Sequence, residues 1–396
     1  MEEWKEYKIG DLGRIVTGKT PKTSIKENYG GNIPFLTPSD DLSNKYAPNT
    51  NKKITELGLD EVKNCLLPPN SICVSCIGSD LGKVVMLREP SVTNQQFNSI
   101  IPNDEFCPDY IYYLMTIVGK ELNFIGKTST AVPIVNKSSF SNTEVKVPSF
   151  PTQQKIANIL SSLDDKIEVN RRINEQLEEL AGALFKSWFV DFEPFKDGEF
   201  VESELVKLGS VINTTSGGTP SRKHMEYYGG NHGWVKSKEL NGTFIIDTEE
   251  TITDDAIAKS SAKLLPEKSI LIAMYGATVG QYAVLSKPMT CNQAVCALLP
   301  NDDYPYTFLF MFAKNKKDEL INKAVGSAQQ NISQILIKDL DISNDTKKIK
   351  EYHKIVGPAF EIILKKQQEI AHLTTLRDTL LPKLMSGEID VNEVKI

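Results

Sequence analysis

Two motifs occur twice in the 396 residues, in the same order and in nearly the same register, and this duplication restricts the chain to folds made of two copies of one unit. Thr17-Gly18-Lys19-Thr20-Pro21 returns as Ser216-Gly217-Gly218-Thr219-Pro220, and Tyr29-Gly30-Gly31-Asn32 returns as Tyr228-Gly229-Gly230-Asn231, both at an offset of 199. Ile77-Gly78 with Gly82 matches Tyr275-Gly276 with Gly280, and Thr93-Asn94-Gln95 matches Cys291-Asn292-Gln293, at an offset of 198. Length agrees with this reading, because domains of about 100–200 residues make a chain of this size two or three units.

Each copy begins with short β-like runs, such as 71–77 and 269–275, bounded by Gly, Pro and Asn, which predicts an α+β globular unit. Each copy ends in a stretch whose apolar residues step by three and four. The first stripe is Ile156, Ile159, Leu163, Ile167, Ile173, Leu177, Leu180 and Leu184; the second is Ile355, Ala359, Ile362, Leu373, Leu376, Leu380 and Leu384. A helix over 156–189 would be about 50 Å long at ~1.5 Å per residue. Because both helices recur at the same place in the repeat, pairing them about a pseudo-two-fold axis covers both stripes. The expected organisation is a first unit over 1–150, a first long helix region over 151–195, a second unit over 196–345 and a second long helix region over 346–396. The helices are expected to form an antiparallel coiled coil. Ile159, Leu163, Leu177, Leu180, Leu184, Trp188 and Phe189 would carry helix packing or partner docking on the first, and Ile362, Leu373, Leu376, Leu380 and Leu384 on the second.

A formal net charge of −6 argues against non-specific coating of nucleic acid, so any DNA contact has to come from local patches. The window 14–53 holds Arg14, Lys19, Lys22, Lys26, Lys45, Lys52 and Lys53 against Glu27, Asp40 and Asp41. In the second copy Arg222, Lys223, Lys236 and Lys238 stand against Glu226 and Glu239. Lys19, Thr20, Lys22, Lys26, Thr219, Arg222, Lys223, Lys236 and Lys238 are therefore candidate DNA contacts. Polar segments follow at Lys127-Thr128-Ser129 and Gln329-Gln330-Asn331, where amide and hydroxyl groups could read base edges. The N-terminus lacks an apolar signal region and no run approaches the roughly 18 apolar residues of a membrane span, which predicts a cytoplasmic protein. Six cysteines are too sparse for a disulfide framework; Cys73-Val-Ser-Cys76 has no second ligand pair and reads as buried thiols, with no metal site expected.

Three rival readings are open to test. Gly13-Arg-Ile-Val-Thr-Gly18-Lys19-Thr20 matches the phosphate-loop pattern GxxxxGK[ST], which would make the chain a nucleotide triphosphatase. Its context disagrees: the preceding Lys5–Asp11 is polar, and the second copy lacks both the first glycine and the lysine. Glu144-Val-Lys146 resembles the tail of a nuclease triad but has no counterpart in the second copy, and none of the four histidines repeats. The third rival is a scaffold whose coiled coil joins two binding domains without DNA. The repeated Asn94-Gln95 and Asn292-Gln293 read first as structural turns, with base contact as the alternative.

With these motifs in place, the chain resembles the specificity subunits of type I restriction-modification systems over nearly its whole length. Each half looks like a target-recognition domain opening on Gly217-Gly218-Thr219-Pro220 and Tyr228-Gly229-Gly230 or their equivalents. Leu184-Phe-Lys-Ser-Trp-Phe-Val-Asp-Phe192 and Leu376-Arg-Asp-Thr-Leu-Leu-Pro-Lys-Leu-Met-Ser-Gly-Glu-Ile389 are similar to that family's helix endings. Val147-Pro-Ser-Phe-Pro-Thr-Gln-Gln154 resembles the usual helix entry, whereas Asp341–Lys347 departs from it. The resemblance implies two α+β target-recognition domains with no active site. It also implies two methyltransferase subunits that carry S-adenosylmethionine and methylate adenine, ATP- and Mg-dependent restriction subunits, and double-stranded DNA as the target. Each domain would read a half-site and the helices would fix the spacer.

Overall fold

The computed structural model describes residues 4–47, 49–128, 134–191, 204–325, 331–392 and 394. The chain divides into two compact units, one of residues 1–166 with 373–396 and one of residues 167–372. No helix among the described residues is long and apolar enough to cross a membrane.

In the first unit, strands Gly13–Thr17, Phe97–Pro102, Ile72–Ser75 and Val84–Met86 form a four-stranded antiparallel sheet in that order. A second sheet pairs Tyr29–Leu36 antiparallel with Lys53–Ile54 and parallel with Val92–Thr93. The second unit repeats both. Asn213–Ser216, Val295–Leu299, Ile270–Ala273 and Tyr282–Leu285 follow the same order, with Phe244–Ile245 added in parallel as a fifth strand. Its counterpart in the first unit is a single parallel bridge between Tyr46 and Met86. Tyr228–Val235 pairs with Thr251–Ile252 and with Thr290–Cys291. Ile72–Ser75 and Ile270–Ala273 are buried at every position, which is why each reads as a continuous apolar run rather than an alternating one. Helices Pro108–Thr128 and Tyr306–Val325 cover the larger sheets of their respective units.

Both long helices run to 40 residues, Phe150–Phe189 and Thr346–Met385, and each contributes one segment to each unit. In the first unit Lys155 bonds Asn392 at 2.7 Å and Asp164 pairs with Arg377 at 2.7 Å. In the second, Phe189 lies under Lys348 at 5.4 Å and the Tyr352 hydroxyl donates to the Ala181 carbonyl at 3.0 Å. The residue numbers climb on one helix as they fall on the other, so the packing is antiparallel in each unit. Buried or half-buried positions recur in sevens on the first helix, at 153, 160, 167, 174, 181 and 188 and at 156, 163, 170, 177 and 184.

On the second helix the expected Leu384 is buried, but Val356 and Ile363 take the inward places expected for Ile355 and Ile362. Val356, Phe360, Ile363, Leu381 and Leu384 are buried, while Ile355, Ile362 and Leu376 are exposed; on the first helix Ala181 is buried and Leu180 is 68% exposed. Leu163 is buried in its unit, and Ile159, Leu177, Leu184, Trp188, Phe189, Leu373 and Leu380 are half-buried. Phe185 and Phe189 stack among Phe308 and Tyr352 with ring centroids 4.9–5.9 Å apart, each such pair contributing about 0.5–1.5 kcal/mol beyond area burial. The Leu184–Phe189 ending is thus the plug that seats the first helix in the second unit. The other ending does the same in the first unit, where Leu381, Leu384 and Met385 pack among Ile156, Leu160 and Tyr110, and Gly387 lets the chain turn against Trp4.

The two helix entries use different chemistry. Buried Gln153 accepts from the Cys107 N–H and donates to the Pro148 carbonyl, which accounts for the Pro-Ser-Phe-Pro-Thr-Gln entry. In the second copy Asp345 accepts from the Lys348 N–H at 3.0 Å and caps the helix directly, so the divergent segment still starts a helix at Thr346.

Candidate nucleic-acid interface

The repeated motifs form one structural device in each unit. Tyr29 donates its hydroxyl to the Pro21 carbonyl at 2.8 Å and Tyr228 to that of Pro220 at 2.6 Å, so the Tyr-Gly-Gly motif pins the Thr-Pro turn. Gly30 and Gly229 have φ of +86° and +80°, and a Cβ on Gly31 or Gly230 would lie 2.4 Å from a neighbouring strand carbonyl. A Cβ on Gly18 or Gly217 would lie 2.1 Å from the carbonyl of Asn94 or Cys291, so this turn rests directly on the Asn-Gln turn. The Lys19 N–H donates to Thr93 and the Gly218 N–H to Cys291, each at 2.9 Å.

The Asn-Gln turn is held identically in both copies. Asn94 Oδ1 accepts from the Gln96 N–H and Asn292 Oδ1 from the Ala294 N–H, each at 3.1 Å, which makes the repeated asparagine a turn former. Gln95 and Gln293, next to it, are exposed. The turn joins the following loop through Cys76 N–H to Gln96 and Val135 N–H to Cys76, and the second copy repeats this with Met274 to Ala294 and Ile332 to Met274. Four segments therefore share one edge of each unit: the Thr-Pro turn, the Asn-Gln turn, the loop after 76 or 274, and the segment at 134–137 or 331–334.

Several predicted contacts meet on that edge. Lys19 is exposed there and Thr20 donates its hydroxyl to Gln95 Oε1 at 2.6 Å. Thr219 and Asn331 are exposed on the second edge, where Asn331 Oδ1 accepts from the Gly276 N–H at 3.4 Å. Lys22 and Lys26 are exposed beyond the Thr-Pro turn. Glu61 sits among them: the Lys22 backbone N–H, helped by Asn28 and the Lys22 and Lys19 charges, holds its carboxyl below the usual range. Lys127 is exposed in the last turn of Pro108–Thr128, which Thr128 ends. Ser129, Gln329 and Gln330 lie outside the described residues. Lys137 was not anticipated. Burial raises the pKa of the Cys65 thiol while the charges of Lys19 and Lys137 both lower it, so the fold places both lysines near that thiol although they are far apart in sequence.

Three of the four candidate cations of the second copy are held in ion pairs. Arg222 pairs with Glu250 at 2.6 Å and lies over the Tyr228 ring, Lys236 pairs with Glu250 at 2.6 Å and Glu249 at 3.3 Å, and Lys238 pairs with Glu249 at 2.7 Å. Glu250 leads in holding the Lys236 ammonium above its ordinary range. This corrects the expected positive surface at Arg222, Lys236 and Lys238, because Glu249 and Glu250, remote from Arg222 in sequence, reach these cations through the fold. Lys223 remains exposed.

The phosphate-loop match dissolves in the fold: Gly13–Thr17 is itself a sheet strand, and among the described residues the first helical element after it is a three-residue 3-10 turn at Lys26–Asn28, not an α-helix at Thr20. Glu144 and Lys146 lie exposed on a two-stranded ribbon, where Lys146 pairs with Glu6 at 3.7 Å. Cys73 and Cys76 are buried, and burial pushes the Cys73 thiol up to about 12, opposite to what a metal thiolate requires.

Residues 1–179 and 201–373 each match the type I restriction modification DNA specificity domain. The chain is 32% identical to the type I restriction enzyme MjaIX specificity subunit of Methanocaldococcus jannaschii, across 99% of this chain and 95% of that one. It is 27% identical to the HindI specificity subunit of Haemophilus influenzae, across 98% and 100%. Among solved structures, the type I restriction-modification S subunit from M. genitalium aligns over 97% of this chain and 96% of that chain, with a TM-score of 0.62 at 17% identity.

Proposed function

Because the chain belongs to the type I restriction-modification DNA specificity subunits, we propose that each of its two domains reads one half of a bipartite DNA target and that the long helices set the distance between the halves. The observation that carries this reading is the edge built twice on one scaffold: the same glycines, Tyr–Pro bonds and Asn-Gln turn support it, while most side chains facing solvent differ. Two domains that read different sequences through one fold require that division.

In this reading Lys19, Lys22, Lys26, Lys127 and Lys137 neutralise phosphates on the first domain, and Thr20 stands beside them. Lys223, Thr219 and Asn331 contact DNA on the second. Arg222, Lys236 and Lys238 stay in their ion network. The antiparallel packing within each unit and the recurrence of buried residues in sevens support the coiled-coil reading. Forty helical residues span about 60 Å at ~1.5 Å each, an upper limit of about 18 base pairs for the spacer. The exposed Leu180, Ile355, Ile362 and Leu376 offer apolar contacts on the outer faces of the helices for two methyltransferase subunits. Catalysis, with S-adenosylmethionine, ATP and Mg, belongs to the methyltransferase and restriction partners in the cytoplasm; this chain supplies recognition. The net charge of −6 agrees with weak binding by the isolated chain and closure of the partners around the duplex.

The test is exchange of one domain. Residues 196–345 are replaced by the matching segment of a relative and methylated adenines are mapped in cells carrying the methyltransferase subunit. One half of the target should change while the other half and the spacer stay. A change in both halves, or methylation independent of this chain, overturns the reading.

A further inference from the structure

On the recognition edge the two copies differ at most of the positions that reach solvent, the threonine of the Thr-Pro turn (Thr20, Thr219) aside. Lys19 is replaced by Gly218, Ser79 by Ala277, Asp80 by Thr278, Gln96 by Ala294 and Lys137 by Gln334. Gln95 and Gln293 break this pattern: both are exposed, both are glutamine, and both stand on the turn locked by Asn94 or Asn292 and backed by Gly18 or Gly217. Folding does not account for the identity. Gln95 Oε1 accepts the Thr20 hydroxyl, whereas no such bond holds Gln293 among the described residues, so the side chain is kept where the fold does not use it.

We propose that Gln95 and Gln293 are the adenine-reading residues of the two domains, one for each half of the target. The proposal rests on the DNA-reading function above and adds the residue and the base. A carboxamide matches the Hoogsteen edge of adenine, its Nε2 donating to N7 and its Oε1 accepting from the N6 amino group. The surroundings favour that use. The neighbouring loop carries Gly78 or Gly276 at φ +88° or +67°, with nothing within 4 Å of where a Cβ would stand on Gly276 and only the Gln96 Nε2 at 3.8 Å from that of Gly78, so a duplex can approach the backbone closely. In the first copy Thr20 occupies one lone pair of Gln95 Oε1 and leaves the second lone pair and both N–H groups for the base, so the amide is oriented before DNA arrives. A side chain kept by two domains with different codes must meet something both half-sites contain, and this chemistry makes it an adenine.

The experiment uses the complete methyltransferase complex carrying Gln95→Ala, Gln293→Ala or Gln95→Glu, with competition by duplexes altered at one position at a time and methylation mapped in parallel. Gln95→Ala should lower discrimination at one adenine of one half-site by roughly 10- to 100-fold, the range for losing a bidentate pair. Gln293→Ala should do the same in the other half only. Gln95→Glu, which offers only acceptors, should shift preference at that position towards cytosine, whose N4 amino group donates. Unaltered discrimination in both alanine variants, or equal loss at every position of both halves, overturns the proposal while leaving the subunit a DNA reader. A wild-type complex without bipartite preference overturns the underlying reading as well.

Discussion

The tie between the first domain and its helix segments rests on a small buried network whose removal should have a definite cost. Asp164, with 6% of its side chain exposed, accepts the Tyr113 hydroxyl at 2.6 Å and an Arg377 N–H at 2.7 Å. Arg377 keeps a second partner in the exposed Asp378 at 2.8 Å. In Asp164→Leu the guanidinium, which cannot deprotonate, loses its buried counter-charge and the Tyr113 hydroxyl loses its acceptor. Breaking a buried pair from one side costs about 3–5 kcal/mol, and the surviving Asp378 contact places this case near the lower end. An unsatisfied buried hydroxyl adds roughly 1 kcal/mol, for a total of about 4 kcal/mol.

Removing both charges in Asp164→Leu/Arg377→Met leaves the Tyr113 hydroxyl unpaired and returns the exposed Asp378 to water, so the double variant should be about 3 kcal/mol more stable than Asp164→Leu alone. Because the chain has two units, the assay has to be local: native-state hydrogen exchange of helix Pro108–Thr128 in the first unit, with helix Tyr306–Val325 of the second as the internal control. With an m-value near 2 kcal/mol per molar urea, a loss of 4 kcal/mol lowers the first unit's midpoint by about 2 M. An Asp164→Leu effect below 1 kcal/mol, or a double variant no more stable than the single one, would refute the reasoning.

Gly18→Ala and Gly217→Ala should each destabilise their own unit by more than about 3 kcal/mol, since the added methyl meets backbone that cannot retreat, and exchange of the unaltered unit's amides should not move. In the assembled complex, Lys19→Ala and Lys22→Ala should each reduce the slope of log binding constant against log salt by about one, whereas Lys236→Ala should leave the slope unchanged because Glu250 and Glu249 already hold that charge. The His353 pKa is lowered by burial first and the Lys268 charge second, against an opposing effect of Glu361. The native state therefore favours the neutral ring. Stability of the second unit should fall as pH drops through the unfolded histidine value of about 6.5, and His353→Gln should flatten the urea midpoint between pH 7 and 5. Inserting seven residues into both long helices should lengthen the recognised spacer by about three base pairs, from ~10.5 Å of added helix, as read by methylation mapping.

The duplication was legible because glycines and prolines mark backbone geometry that must be copied with the fold. Less legible was the helix seam. Ile362, Ile363 and Leu364 are consecutive apolar residues, so apolar spacing alone does not show that Ile363 faces inward and Ile362 outward. Midway along the first helix, the inward positions are Asn170 and Asn174, which a search for hydrophobic residues passes over. Charge tallies failed for a related reason. Glu249 and Glu250 reach Arg222, Lys236 and Lys238 only because Thr251–Ile252 pairs with Tyr228–Val235, a proximity created by the sheet rather than by sequence distance. Lys137 likewise reaches the edge only through the fold, by the Val135 N–H bond to the Cys76 carbonyl.

The recognition edge also explains how such a chain can change its target without losing its fold. Gly18, Gly31, Tyr29 and Asn94 face other backbone, and their equivalents Gly217, Gly230, Tyr228 and Asn292 do the same, so substitution there creates clashes or lost hydrogen bonds costing kilocalories. Lys19, Ser79 and Lys137 face water, where substitutions away from special features are usually within about 0.5 kcal/mol in stability. A base contact, by contrast, is worth about 1–3 kcal/mol in discrimination. On the proposed reading, exposed edge residues can thus alter the code several times more than they alter the fold. The Gln95–Gln293 pair, on the proposal above, stands outside this freedom: its stability cost is that of any surface residue, and contact with the base is what the proposal offers for its retention.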